Sequence, residues 1–310
     1  MRFRLNLIFS ISLALTIIYT HKPVFAEHLK QSFESKISAL ETSTGGQIGI
    51  YAHNLNNDKI IAHRANERFP MGCTSKVMGV AAILKQSMVD PDLLDKKVTY
   101  SEDDLVMWSP VTKNQLSSGM TIRELCDASI RYSDNTAMNL LVNQLGGLGK
   151  INEFARSINN LSFRQDHDWP KEAYSGGVNN LKDSATPQDM ADSLHQLAFT
   201  QILDKPQRES LVTWLKENTT GAKRIRKGIP SHWIVGDKTG TGGAYGTTND
   251  IAIVWPSSCK PFILAIYYTS QDQQAQTRND VVADVTKLVV QEMSHHDNCL
   301  VDALNQHHYS

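Results

Sequence analysis

The sequence has no surplus of positive charge: 31 Lys and Arg residues stand against 32 Asp and Glu, a formal net charge of -1 over 310 residues. That balance supplies no field for a polyanion, which argues against nucleic acid as a partner. Glycine (18) and proline (10) are too sparse for a fibrous or low-complexity chain. The four cysteines, Cys73, Cys126, Cys259 and Cys299, are widely and irregularly spaced and form no Cys-x-x-Cys. His-Glu-x-x-His is absent as well, so there is no metal signature, and no cofactor is expected. Beyond the N-terminal stretch, no apolar run approaches the roughly 20 residues of a membrane-spanning helix. What is left is a globular protein long enough for a full core, with 41% hydrophobic residues.

The first 26 residues are different. Arg2 and Arg4 precede an apolar stretch from Leu5 to Tyr19, and Val24-Phe25-Ala26 provides a small-residue step, the pattern of a secretory signal peptide cut after Ala26. A membrane anchor is the alternative, but the run is short for one. The mature chain is expected to begin near Glu27 and to be exported, periplasmic or secreted, without membrane attachment, and monomeric. Export permits disulfides, and four cysteines allow three complete pairings that spacing does not rank. At the other end, His295, His296, His307 and His308 offer nitrogen ligands, but residues 295–310 read more simply as a disordered, solvated tail.

Between these ends the periodicity changes twice. Leu29, Phe33, Ile37 and Leu40 recur at helical spacing before Gly45-Gly46. Gln47 to Ala52 and Lys59 to His63 read as strands joined by Asn56-Asn57-Asp58. Three more strands come much later, His232 to Asp237, Asp250 to Trp255 and Phe262 to Thr269, followed by a helix with Val281, Val282, Val285, Leu288 and Val289 on its apolar face. The middle is helical. Thr121-Ile122-Arg123-Glu124 fits a capping box, and Thr136 to Leu145 is a helix stopped by Gly146-Gly147. The expectation is an α/β fold of the α+β type, an antiparallel sheet flanked by helices plus an all-helical unit. The α/β part would be discontinuous, 27–66 and 217–294, with the helical part at 67–216.

Three short segments carry chemistry. Cys73-Thr74-Ser75-Lys76 puts a thiol and an ammonium one turn apart at a helix start, where both the helix end and the lysine favour a thiolate. Alone, the motif is weak, and a buried structural cysteine is the plainer reading. Ser133-Asp134-Asn135 falls in a break between helices, where a hydroxyl and an amide can face a cleft. Lys238-Thr239-Gly240 ends the strand that starts at His232, with Thr241-Gly242-Gly243 after it, a strand edge suited to an extended anionic ligand.

Taken in order, these segments resemble the Ser-x-x-Lys, Ser-Asp-Asn and Lys-Thr-Gly set of the class A β-lactamases. The resemblance runs from about residue 30 to about 293 and includes Arg68-Phe69-Pro70-Met71, Trp108-Ser109-Pro110-Val111-Thr112, Thr219-Thr220-Gly221 through Arg226, and Val235-Gly236-Asp237 through Asp250. It implies a β-lactam substrate and a role for each matching residue. Cys73 stands in the place of the nucleophilic serine, beside Lys76. Ser133 would relay a proton to the lactam nitrogen, and Asn135 would hold the substrate's side-chain amide. Lys238, Thr239, Gly240 and Thr241 would line the carboxylate subsite with Arg224 as an extra cation. The N–H groups of Cys73 and Thr241 would form the oxyanion hole, and Trp108 would wall the cleft entrance.

Two departures bear on mechanism. A thiolate is intrinsically more nucleophilic than a hydroxyl, but sulfur is larger, and a misplacement near 1 Å can cost about a hundredfold. The second lies in the loop that in the family reads Arg-x-Asp-x-x-Glu-Pro, then asparagine, whose glutamate activates the hydrolytic water. Here it reads Arg164-Gln165-Asp166-His167-Asp168-Trp169-Pro170-Lys171-Glu172-Ala173. Arg164 and Asp166 match, Trp169 stands at the glutamate and Ala173 at the asparagine. Loss of a general base removes about 10²–10⁴ in rate. Asp168, Glu172 and His167 are read first as solvated loop groups; a shifted loop would make Glu172 the substitute deacylation base. Cys126 has Val80 opposite it where many relatives pair two cysteines, and Gly72 and Gly242 occupy the bridge positions of some carbapenem-hydrolysing relatives, so no carbapenemase is inferred. The expected function is β-lactam hydrolysis through an acyl-enzyme on Cys73, with slow deacylation. The rivals are a β-lactam- or peptidoglycan-binding pseudoenzyme and a D-Ala-D-Ala peptidase. Asp134 and the Arg164/Asp166 pair favour the lactamase branch.

Overall fold

Residue-by-residue alternation builds the centre of the fold. In the computed structural model, which describes residues 32–174, 177 and 180–306, the sheet consists of strands β1 (Gly46–Asn54), β2 (Lys59–His63), β7 (Ile234–Thr241), β8 (Thr248–Trp255) and β9 (Phe262–Ser270). Their order is β2-β1-β9-β8-β7, antiparallel throughout. Ile263, Ala265 and Tyr267 of β9 point into one hydrophobic cluster; Phe262, Leu264, Ile266 and Tyr268 point into another. With both faces covered, every residue of β9 is buried.

The first cluster contains the helices of the chain's middle, α2 (Lys76–Ser87), α3 (Ile122–Arg131), α4 (Asn135–Leu145), α5 (Leu148–Ser157), α6 (Pro187–Phe199) and α7 (Lys205–Lys216). The second holds α1 (Phe33–Thr44), the short α8 (Ile225–Gly228), α9 (Asn279–Ser294) and α10 (Asn298–Asn305). Two-residue strand pairs finish the frame: β3 (Phe69–Pro70) with β6 (Ser184–Ala185), and β4 (Lys97–Val98) with β5 (Met120–Thr121). From Ser32 onward the described residues cluster as one compact unit.

The capping box is where the sequence put it: Thr121 and Glu124 form a reciprocal pair on α3. Asp134, not read as a cap from the sequence, caps α4 by accepting from the Ala137 N–H at 2.9 Å. Helix α2 is the buried axis: Lys76 to Leu84 are all buried, which suits its run of small and branched residues. Among the described helices, none is long and apolar enough to cross a membrane. The segment read as a signal peptide, and His307 and His308, lie outside the described residues.

Two expectations are corrected. The strand expected from His232 to Asp237, with Lys238-Thr239-Gly240 at its end, runs instead from Ile234 to Thr241, so the triplet lies within it, and every residue from Val235 to Thr241 is paired to β8. Nor is the tail from residue 295 disordered throughout. Helix α10 buries Leu300 and Ala303 in the second cluster, and a disulfide joins Cys259 to Cys299. Buried Asp297 accepts hydrogen bonds from the Asn54 amide at 2.7 Å and the Asn56 amide at 3.1 Å, fastening the segment to the β1–β2 hairpin. His295 and His296 face Glu292 on α9 rather than a metal cluster.

Candidate active site

The thiol of Cys73 stands at the entry to α2, on a 3₁₀ turn from Gly72 to Ser75. Gly72 has φ +51°, and a Cβ there would meet the Thr241 N at 3.0 Å, so a side chain could not sit between the turn and the end of β7. This close approach sets the Thr241 backbone nitrogen beside the turn that carries Cys73. One turn on, the Lys76 side chain is fully buried. Its ammonium donates to the Ser133 carbonyl at 2.7 Å, to Ser133 Oγ at 3.4 Å and to Asn135 Oδ1 at 2.6 Å.

Ser133 is held in the left-handed region, φ +57°, in the break between α3 and α4. Asp134 fixes that break from behind: buried completely, it accepts from the N–H groups of Val111 and Thr112 and from the Thr112 hydroxyl. From the opposite wall Lys238 donates to Ser133 Oγ at 2.9 Å. With two ammonium groups donating to it, the Ser133 oxygen is left to donate its own hydrogen into the cleft. Asn135 Nδ2 donates to the Met107 carbonyl at 2.8 Å, which orients the amide.

The β7 wall is braced from below. Arg224 is buried, and its guanidinium donates to the Gly240 and Asn249 carbonyls, to Thr241 Oγ1 at 2.6 Å and to Asn279 Oδ1 at 2.7 Å. The expected extra cation is therefore also the brace that positions Thr241. Thr239 Oγ1 lies 2.6 Å from Thr220 Oγ1. Trp108, 61% exposed at φ +64°, forms the rim, its indole tied to the Tyr132 carbonyl at 3.0 Å. A cavity of about 350 Å³ connects these groups, lined by Cys73, Ser133, Asn135, Glu172, Thr239 and Thr241 among others.

The fourth wall is the loop after α5. Arg164 and Asp166 pair at 2.8 Å on the outside, as the sequence suggests. Buried Asp183 does the inner work, accepting from the N–H groups of Asp166 and His167 at 2.8 and 2.9 Å and pairing with His167 Nδ1 at 2.7 Å. At its far end the loop is joined to the sheet by Gly243 N–H donating to the Ala173 carbonyl at 2.8 Å. The reading of three solvated loop groups holds for exposed Asp168, while His167 is engaged by Asp183. It fails for Glu172. That carboxyl is 2% exposed, lines the cavity, and has Oε1 3.9 Å from Cys73 Sγ.

The electrostatics are cooperative. Burial pushes the Cys73 thiol up, but the ammonium groups of Lys76 and Lys238 and hydrogen bonds from Ser133 and Lys76 outweigh it, so the thiol titrates below its ordinary range. Glu172 is driven well above the usual carboxylate range by burial and by the adjacent thiolate, with Lys76 opposing. Burial and Lys76 pull Lys238 down to about 8, against the upward pull of Cys73, Asp237 and Asp250. Cys126, by contrast, is free, buried in hydrocarbon and shifted upward, an inert thiol.

The model of the β-lactamase enzyme family matches residues 32–293. The chain belongs to that family. A β-lactamase of Proteus vulgaris is 44% identical over 272 residues, covering 88% of this chain and 90% of the relative. Among solved structures, the β-lactamase from Desulfarculus baarsii is similar with a TM-score of 0.82 and 41% identity, over 84% of this chain and 97% of that one. The class A β-lactamase from Mycobacterium abscessus gives 0.81 and 38%, over 85% and 100%. The fold is thus the class A β-lactamase fold.

Within this β-lactamase frame the sites expected at Cys73, Lys76, Ser133, Asn135, Lys238, Thr239, Gly240, Thr241, Arg224 and Trp108 come together around one cleft. Sequence reasoning missed Met107, Thr220 and Tyr174 as lining residues. Thr220 lay inside a matching stretch, but its hydroxyl acquires a role only through its register against β7. Trp169, in the glutamate's place, is almost fully buried, with its main chain clamped by Asn139 and a cis peptide to Pro170.

Proposed function

We propose that this β-lactamase opens the lactam with Cys73 and releases the product with Glu172 as general base. The observation that carries the reading is the meeting of the Cys73 sulfur and the Glu172 carboxyl at 3.9 Å, in the cavity that also holds Ser133 and, behind it, both lysines. The thiolate attacks the lactam carbonyl carbon, and the N–H groups of Cys73 and Thr241 receive the oxyanion. As the ring C–N bond breaks, the Ser133 hydroxyl passes its proton to the nitrogen, and the ammonium groups bonded to its oxygen replace it. Lys238, Thr239 and Thr241 bind the substrate carboxylate.

Acylation also changes the state of Glu172. The thiolate is one cause of that carboxyl's raised pKa, and thioester formation removes the negative charge, leaving burial opposed by Lys76. The carboxyl then ionises more readily, takes a proton from water and directs the hydroxide to the thioester carbonyl; the thiolate leaves. The base is switched on by the step before it.

The test mixes mature protein with a chromogenic cephalosporin and follows colour and intact mass together. Sustained colour with a transient adduct on Cys73 is the expected result. A permanent adduct without turnover assigns the chain to the binding pseudoenzyme, and no adduct on either Cys73 or a Cys73→Ser variant removes the cleft from consideration. Export through the N-terminal segment is a separate part of the proposal, checked by the N-terminal sequence of the mature protein, expected at Glu27.

A further inference from the structure

The Lys76 ammonium has an unusual neighbour. It donates to the neutral Ser133 carbonyl and hydroxyl and the Asn135 amide oxygen, it also hydrogen-bonds the Cys73 sulfur, and the ring of Trp169 lies with its centroid 5.9 Å from Nζ. That separation is within the range of a cation–π contact, in which an aromatic face attracts the cation without carrying charge. The ring is not placed by the loop alone. Asn139 of α4 accepts from the Trp169 N–H at 3.1 Å and donates to its carbonyl at 2.7 Å, so a rigid helix sets its position. Its indole Nε1 finds no hydrogen-bond partner among the described residues. The face of the ring, rather than its polar edge, is what the site uses.

The charged groups around the sulfur explain why a neutral face suits this place. Lys76 comes from α2, Lys238 from β7, Glu172 from the loop, and Arg224 lies behind β7; the Ser133 hydroxyl completes the set. The thiolate already opposes ionisation of the Glu172 carboxyl. A second carboxylate beside Lys76 would add another anion to a buried space and would compete for the ammonium. We propose that Trp169 is a positioning residue matched to a sulfur nucleophile: its indole face confines the Lys76 ammonium while leaving that charge to the Cys73 thiolate. The proposal rests on the reading of Cys73 as the nucleophile.

The experiment uses the full mature chain with its disulfide intact. The ultraviolet thiolate band of Cys73 is titrated with pH in the parent, Trp169→Phe and Trp169→Glu proteins, each against a Cys73→Ala baseline; buried Cys126 titrates above this window. Phenylalanine keeps the face, and the midpoint stays. Glutamate raises the midpoint by about one pH unit, a tenfold loss of thiolate at a given pH below it. An unmoved midpoint in the glutamate variant, or an equal shift with phenylalanine, overturns the proposal. Should the glutamate variant not fold, Trp169→Ala replaces it: alkylation of Cys73 by iodoacetamide at neutral pH is then expected to slow about tenfold while Trp169→Phe stays at the parent rate. Equal rates for the two overturn it. The titration needs no β-lactam, so a parent protein that forms no adduct with cephalosporin defeats the functional reading separately.

Discussion

The two walls that close on Cys73 are built in opposite ways. The β7 wall is part of a five-stranded sheet: Lys238, Thr239 and Thr241 are fixed by pairing with β8, and Arg224 braces the strand from below. The loop wall from Arg164 to Tyr174 has no such ladder and depends on a few fastenings, Asp183 inside, Asn139 under Trp169 and the Ala173–Gly243 bond at its tip. The rigid wall keeps the expected residues in the expected places. The fastened wall is the one in which residue identities have changed, with an indole at the family's glutamate and a carboxyl three residues later reaching the sulfur. A strand residue that moves by one position reverses its face, whereas a loop can carry a functional group to the same point from a different residue.

Under the proposed function the β7 wall binds and the loop wall releases, and this division can be broken. Glu172→Gln should slow deacylation by about 10²–10⁴ while acylation persists, so that a Cys73 adduct accumulates within one turnover. Intact mass and burst kinetics read this, and unchanged kcat with no adduct would return the base to another group. A region remote from both walls serves as the control. Replacing both Cys259 and Cys299 by serine opens a loop of 40 residues and should cost about 4 kcal/mol in a denaturant titration, with kcat/KM unchanged.

The binding wall has its own signature in pH. Lys238 titrates near 8, so its positive charge is present below that value and lost as pH rises through it. The Cys73 thiol titrates below its ordinary range, so the rising limb of acylation with pH is complete early. KM for a carboxylate-bearing β-lactam should therefore rise above about pH 8, by roughly tenfold if a charge-assisted hydrogen bond is lost. Lys238→Arg should hold KM flat over the same range. The smallest effect concerns the fastenings. Asp183→Ala leaves two backbone N–H groups without an acceptor and should lower the melting temperature and kcat together, whereas Arg164→Ala on the exposed pair should change both far less.

Much of this was legible in the sequence because it depends on local rules. The capping box at Thr121 and Glu124, the glycine stop after Leu145 and the apolar run of β9 each specify an element from neighbours in the chain. The motif residues were legible because their order and spacing match a known set. What escaped was long-range. Glu172 is buried in a loop that Asp183 and Asn139 fasten, residues with no periodic relation to it, and polarity alone made it look like solvent-facing loop. The tail looked disordered since its histidines and polar residues hide a single turn of apolar contacts at Leu300 and Ala303. Those contacts form where Cys259 and Asp297 fasten the segment, both through partners remote in the chain.

The molecule asks two incompatible things of its sulfur atoms. Cys259 and Cys299 must lose electrons to staple the last helix, while Cys73, as the proposed nucleophile, must keep its pair to attack. Cys126, the only other thiol, is sealed in hydrocarbon and offers no partner for exchange. Surroundings strong enough to strip the first pair therefore act directly on the third atom, half-open to the cleft. The order in which these atoms are oxidised and shielded decides how many molecules of a preparation arrive ready to work.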